Sequence, residues 1–464
     1  MDPNWTSIIP PLLAVVLAFI TREAAVSLGV ACLAGVLIQG QGLMGFPSLI
    51  TRSLSTEHFI WLCTLEFAIG IFVAFLQRGG AIAMFTERAQ KWVKNKSQVG
   101  LLGWALGLFI FFSDYFSTLV VGPVMRNLTD KYRISREKLA YICDSTSAPL
   151  VALMPITGWA VYSSGLAIGS AGIENTEEAM ALFIHSIPFN FYSYLTILMV
   201  LLIVLRVIPD FGPMRTAETR AEVEGKVLRD GAVPMMSKEL TDLEASESKN
   251  TNIFLNFLFP VFLIITTNLG SFFLTGTPIV MESFLLSVTI LGILLWFQKV
   301  DDLKGIMGSA YAGMKGVMPA VVILALAYCI NTLSRDMGTA AYIISVTQEW
   351  MTPHLIPILA FLLSSIISFA TGSAYGTYAI VVPIVVPLAY QFGGQEVGTL
   401  VYSSFGAVLG GGVFGDHCSP LSDTTVLSSM GSACDHIDHV KTQLPYAAAA
   451  GVMALVVYGL VGYF

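Results

Sequence analysis

Gly415-Asp416-His417-Cys418-Ser419-Pro420-Leu421-Ser422-Asp423-Thr424-Thr425 is a polar run set inside apolar sequence, with 405–414 before it and Val426-Leu427 after it. Carboxylates are costly at membrane depth, so an ionisable cluster there marks a path or site for ions. Proline, glycine and small hydroxyl residues in the same run unwind a helix and free its carbonyls to act as ligands. The run predicts a broken membrane helix that handles ions.

The rest of the chain supplies the membrane protein this requires. Its 464 residues are 55% hydrophobic and only 12% charged, where a soluble domain carries about 25% charged residues. Mean hydropathy is +0.74. Apolar runs at 182–207, 253–274, 278–298 and 444–464 reach the roughly 20 residues that cross a bilayer. They are continuous, not alternating, which excludes an outer-membrane barrel. The opening Met1-Asp2-Pro3-Asn4-Trp5 lacks the basic region of a signal peptide, so the first span is expected to be retained. Six scattered cysteines form no CxxC pair and suggest neither a disulfide frame nor a zinc site.

Basic residues set the expected topology, because Lys and Arg stay on the cytoplasmic side. Clusters at 88–96, 126–138, 206–249 and 299–315 read as inside; 169–179, 351–357 and 391–398, free of Lys and Arg, read as outside. The apolar segment 98–125 then enters and leaves on one side, with an interruption at Ser113-Asp114 where a hairpin can turn. Segment 354–390, interrupted at Thr371-Gly372-Ser373-Ala374, does the same from the opposite face. Helices are expected near 7–21, 24–43, 59–77, 139–168 and 180–207, and again near 253–275, 278–298, 318–334, 399–430 and 444–463. The two groups form an N-terminal repeat over 1–207 and a C-terminal repeat over 253–464. Residues 208–252 join them as a cytoplasmic linker, partly an exposed helix. Each repeat has an odd number of crossings, so the two are inverted, as in many secondary transporters. Tyr115, Ser117, Val121 and Pro123 match Tyr375, Thr377, Val381 and Pro383 at constant offset.

Four polar interruptions meet near the centre of such a fold. Asp114, Asp144, Asp416 and Asp423 supply carboxylates, and Ser145, Thr146, Ser419, Thr424 and Thr425 supply hydroxyls. A hard cation such as Na⁺ needs several oxygens of this kind. All Lys and Arg fall in loops or at span ends, so none is expected to neutralise these acids from within a span. A buried carboxylate without a basic partner takes a proton or binds a cation. Competition between H⁺ and Na⁺ for one acid is the minimal mechanism of an antiporter. Asp144 and Ser145 also suit a helix cap before Pro149, and Asp114 a hairpin turn. Glu66 is either a proton site or a residue reaching into a water-filled vestibule. His417 either relays protons or braces the broken helix. Asp435-His436-Ile437-Asp438-His439 has the look of a metal site but falls in the cytoplasmic turn before the last span, where a solvated turn, or a pH-responsive one, is expected.

The 415–425 run, the Asp435–His439 motif, Arg133-Ile134-Ser135-Arg136-Glu137-Lys138-Leu139-Ala140-Tyr141 and Asp144-Ser145-Thr146-Ser147-Ala148-Pro149 together resemble the NhaC-type Na⁺/H⁺ antiporter family. The resemblance covers essentially the whole chain. It implies an ion-transporter superfamily fold: an all-α polytopic membrane protein of two inverted repeats, about ten transmembrane helices and two re-entrant hairpins with broken helices. It also implies a transport region and a scaffold region that often dimerises, so a homodimer is expected. Members are similar in fold and differ in cargo. Some resemble plain Na⁺/H⁺ exchangers; others look like Na⁺-coupled carriers of amino acids or of malate and lactate. Fold alone does not fix the cargo.

The leading expectation is Na⁺/H⁺ exchange at Asp416 and Asp423, assisted by Asp144 and Asp114. The alternative is Na⁺-coupled transport of a small organic solute, with Ser113, Thr371, Gly372 and Ser373 at the hairpin tips binding its carboxylate. An enzyme is disfavoured. An intramembrane aspartyl protease needs Gly-x-Gly-Asp, and Val413-Phe414-Gly415-Asp416 breaks that pattern. No GxxxxGK[ST] loop appears, which disfavours a primary pump. No cofactor, no metal beyond transported Na⁺ and no nucleic-acid partner is expected. The expected location is the inner membrane of a prokaryote, with both termini outside.

Overall fold

The computed structural model describes residues 4–461 apart from 22, 112–113, 170, 237–242, 244, 247–251, 277–278, 340–341, 343–344 and 347–351. The chain is all-helical, and the one isolated bridge among the described residues pairs Pro234 with Asp435. Helices α1 (Ile9–Thr21) and α2 (Ala24–Ile38) pack on each other. The second ends earlier than the expected 24–43 because Gly40 turns the chain out of the helix at φ 74°. The next helix, α3 (Gly45–Leu54), was not anticipated; it is amphipathic, burying Leu49 and Ser53 and exposing Arg52. Then come α4 (Glu57–Arg78), whose first turn is capped by Thr56, and α5 (Ala81–Ala89).

The first hairpin segment consists of α6 (Lys96–Phe109) and α7 (Asp114–Lys131). The single crossing expected over 139–168 is instead three pieces: α8 (Arg136–Ser145), α9 (Ala148–Val151) and α10 (Gly158–Gly165). Pro149 and Pro155 explain the breaks, since neither can donate a helical hydrogen bond. Helices α11 (Thr176–Ser186) and α12 (Phe191–Val204) form a pair bent by 46°. The linker contains α13 (Gly212–Thr219), which buries Met214 and Ala217 and so packs on the protein instead of standing in solvent.

After the linker come α14 (Phe259–Thr275), α15 (Val280–Phe297) and α16 (Leu303–Asp336). The last of these far exceeds the expected 318–334, at 34 residues or on the order of 50 Å. Helices α17 (Ile356–Thr371) and α18 (Ala374–Phe392) form the second hairpin segment. The broken pair α19 (Thr399–Cys418) and α20 (Asp423–Gly431) follows, and α21 (His436–Val461) closes the chain. Among the described residues, seven helices are long and apolar enough to cross a membrane, or eight with the bent pair.

Two hydrophobic bodies divide the molecule. One gathers α1, α2, α4 and α14 to α16 with α7; the other gathers α10 to α12 with α17 to α19 and α21. In the first, α4 crosses α16 so closely that a Cβ on Gly70 would lie 2.5 Å from the Gly313 carbonyl oxygen. The two halves of the chain interlock reciprocally: α7 packs on α20 within the first body, and α18 packs on α10 within the second. Each hairpin's second arm thus meets the helix that follows the break in the other half of the chain.

Candidate functional site

The break between α19 and α20 spans Ser419 to Ser422, and its polar side chains turn inward. Ser422 stands at the N-cap of α20 but makes no cap hydrogen bond there. Its hydroxyl donates to Asp416 Oδ1 at 2.7 Å, and the Thr424 hydroxyl lies 3.3 Å from Asp416 Oδ2. Thr425 Oγ1 donates to the Asp416 carbonyl at 3.1 Å. The carboxylate is 2% exposed and held by neutral hydroxyls. Asp423 accepts the Thr424 amide and the Tyr115 hydroxyl, each at 2.8 Å. Ser419 Oγ donates to the Phe369 carbonyl at 2.8 Å, tying the break to α17.

The tip of the second hairpin presses on this break. Gly372 adopts φ +69°, and a Cβ there would lie 2.6 Å from the Leu421 carbonyl group. Only glycine tolerates both the left-handed conformation and this approach. Together tip and break line a cavity of about 520 Å³, which also takes in Asp114, Asp416, Asp423, Thr424, Thr371 and Ser373. It lies between the two hydrophobic bodies: Tyr328 and Leu324 wall one side, Trp159 and Tyr375 the other. Arg335, on the last turn of α16, stands at its exposed end.

The expected acids therefore separate. Asp114, Asp416 and Asp423 line the cavity, and Asp114 Oδ2 is buried with no hydrogen-bond partner among the described residues. Asp144 lies behind it, bound by Gln443 and His439. Ser145 is bonded to His417 at 2.8 Å, and Thr146 donates to the Ile142 carbonyl at 2.7 Å. His417 reaches Tyr192 at 2.9 Å through its other nitrogen, so it braces α19 against α8 and α12. Thr371, Gly372 and Ser373 line the cavity; Ser113 lies outside the described residues. Glu66 is fully buried on α4, and both its oxygens lack a partner among the described residues.

One expectation is overturned. Asp435 to His439 do not form a solvated turn: His439 is 0% and His436 3% exposed. The linker covers them, with the Val233 amide on Asp435, Arg229 on Asp438 at 2.8 Å, and the Met235 amide on the Cys434 carbonyl. His436 Nε2 donates to the Pro420 carbonyl at 3.0 Å, so this motif buttresses the break from beneath. Sequence reasoning also missed Tyr115, Ser422, Arg335 and Gln443. Ser422 lay in plain view inside the quoted run. Tyr115 was marked only as a repeat match to Tyr375, and Arg335 and Gln443 are single polar residues in helices with no local pattern to mark them.

A model of the Na⁺/H⁺ antiporter family matches residues 150–463. The chain belongs to the Na⁺/H⁺ antiporter family. Membership makes it an integral membrane protein of a transporter family, in keeping with its apolar helices. An uncharacterized protein of Haemophilus influenzae is 31% identical over 98% of this chain and 91% of its own length. Other relatives match in part. The arginine/ornithine antiporter ArcD of Halobacterium salinarum is 33% identical over 36% of this chain and 33% of its own length. The malate-2H⁺/Na⁺-lactate antiporter of Bacillus subtilis is 30% identical over 38% of this chain and 35% of its own length. Relatives that match part of this chain thus carry different cargo names.

Proposed function

We propose that this family member exchanges Na⁺ for H⁺, binding the cation at the base of the cavity between Asp416, Asp423 and Asp114. The supporting observation is the convergence of three carboxylates from α7, α19 and α20 on one cavity, with the Ser422 and Thr424 hydroxyls beside Asp416. Carboxylate and hydroxyl oxygens are the donors a hard cation prefers. Repulsion among three acids at one site favours filling it with a cation or a proton, so Na⁺ entry expels a proton. On this reading the basic clusters face the cytoplasm, both termini lie outside, and the cavity opens outward beside Arg335.

A second reading rests on size. A cavity of about 520 Å³ is many times the volume of one water, about 30 Å³, and falls in the range of small-molecule sites. Arg335 and the Thr371–Ser373 tip suit the carboxylate of an organic solute carried with Na⁺. The relatives named for amino-acid and carboxylate exchange agree with that chemistry. Proteoliposomes with an imposed Na⁺ gradient and an entrapped pH dye separate the two. Proton movement against Na⁺ without organic solute supports exchange; movement only when an amino acid or carboxylate is added supports the second reading.

A further inference from the structure

The two broken-helix aspartates have unlike surroundings. Asp416 faces the cavity; Asp144, on α8, faces α21 in a fully buried pocket. Its Oδ2 lies 3.3 Å from His439 Nε2 and accepts Gln443 Nε2 at 2.6 Å. Gln443 Nε2 also reaches the His417 carbonyl, one residue from Asp416. Three atoms of this cluster, Asp144 Oδ1, His439 Nδ1 and Gln443 Oε1, are buried with no hydrogen-bond partner among the described residues. A buried polar atom left without a partner is destabilising, so three in one place argue against a cluster kept for stability alone.

Resting on the exchange reading above, we propose that Asp144 and His439 form a second ion site, which takes a proton and not Na⁺. Two unengaged oxygens beside an imidazole are too few for a hard cation, which takes about six or more. A proton needs one lone pair, and the pair offers one on His439 and one on Asp144. The other titratable groups facing it are Cys143 on α8, Asp416, His417 and Cys418 on α19, Tyr192 on α12 and His436 on α21. His417 has both nitrogens engaged, by Ser145 and Tyr192, and His436 has both engaged, by Ser429 and Pro420. His439 alone among these imidazoles keeps a nitrogen without a partner among the described residues. Gln443 is the positioning residue. Protonation of the pair weakens Asp144 as an acceptor, loosens Gln443, and frees the His417 carbonyl at the end of α19 that carries Asp416. The exchanged charge is then one proton at the cavity acids plus one at Asp144–His439.

The test compares wild type with the neutral double variant D144N/H439Q in proteoliposomes, by two readouts. One is the H⁺:Na⁺ ratio from the voltage and pH gradient that null the flux; the other is ²²Na⁺/Na⁺ self-exchange, which moves no net protons. The amides of the variant still hydrogen-bond each other and Gln443. The ratio is expected to fall by one proton per cycle while self-exchange stays within about twofold. H439Q alone, which keeps the Asp144–Gln443 bond and the unengaged Asp144 oxygen, is expected to keep self-exchange within about twofold and guards against a folding defect in the double variant. An unchanged ratio in the double variant, or loss of self-exchange in both variants, overturns the second site and leaves the exchange reading standing. A wild type that moves no protons with Na⁺ overturns the exchange reading and this inference together.

Discussion

The Tyr115 hydroxyl donates to Asp423 Oδ2 at 2.8 Å, joining the first turn of α7 to the first turn of α20. The two residues come from opposite halves of the chain, and both line the cavity. This bond aims the Asp423 carboxylate, and a hydrogen bond to a charged group contributes about 1.5–3 kcal/mol. Tyr115→Phe keeps the ring and removes the donor. It is expected to lower apparent Na⁺ affinity about tenfold or more with a modest drop in melting temperature, as read from ²²Na⁺ uptake and a melting curve. Affinity unchanged from wild type would show that the bond does not position the acid.

At Gly372 the prediction is steric. Alanine there must hold φ +69°, which costs about 1–2 kcal/mol for an L-residue, and must also push Leu421 away. Gly372→Ala is expected to lower the melting temperature and to cut transport at least tenfold. Ser373→Ala, which loses only an N-cap to Gly376, should be much milder. Equal transport in wild type and Gly372→Ala would mean the tip does not shape the site.

Arg335 separates bare-cation exchange from solute coupling. Its side chain is exposed, so its repulsion of an entering Na⁺ is screened by salt within about 10 Å. Arg335→Gln is expected to leave solute-free proton flux within about twofold of wild type. A collapse of that flux would speak against the exchange reading; loss of only solute-stimulated flux would support the second one.

Arg220 donates to both Glu137 oxygens at 2.8 and 2.9 Å, and the Glu137 side chain is 2% exposed. Removing the partner of a buried charge costs about 3–5 kcal/mol. Arg220→Ala is expected to lower the melting temperature markedly, and Glu137→Gln in that background to restore part of it. Additive losses would contradict the pairing.

Much of this organisation was legible because it is local. Pro420, with Ser419 before it and Ser422 two residues on, marks a break that any helix would have to make. Thr371-Gly372-Ser373 marks a turn for the same kind of reason, since glycine permits φ > 0. The direction in which a side chain leaves a broken helix is not local. Asp144 and Asp416 sit in similar motifs, yet one faces α21 and the other the cavity, because the partners lie far away in sequence at Gln443 and at the hairpin tip. The burial of His439 depends on the linker returning over Asp435 and Asp438, which no window around residue 439 contains. The length of α16 was hidden by Lys304 and Lys315, which look like loop residues but sit on a helix.

The most direct test of the cavity acids is Na⁺ binding to the purified full-length protein at a series of pH values, with Asp416→Asn alongside. Competition for shared carboxylates predicts that the apparent Kd for Na⁺ rises as pH falls, approaching about tenfold per pH unit for each proton displaced, and that Asp416→Asn binds Na⁺ at least tenfold more weakly. A Na⁺ affinity independent of pH, or unchanged in Asp416→Asn, would contradict the account.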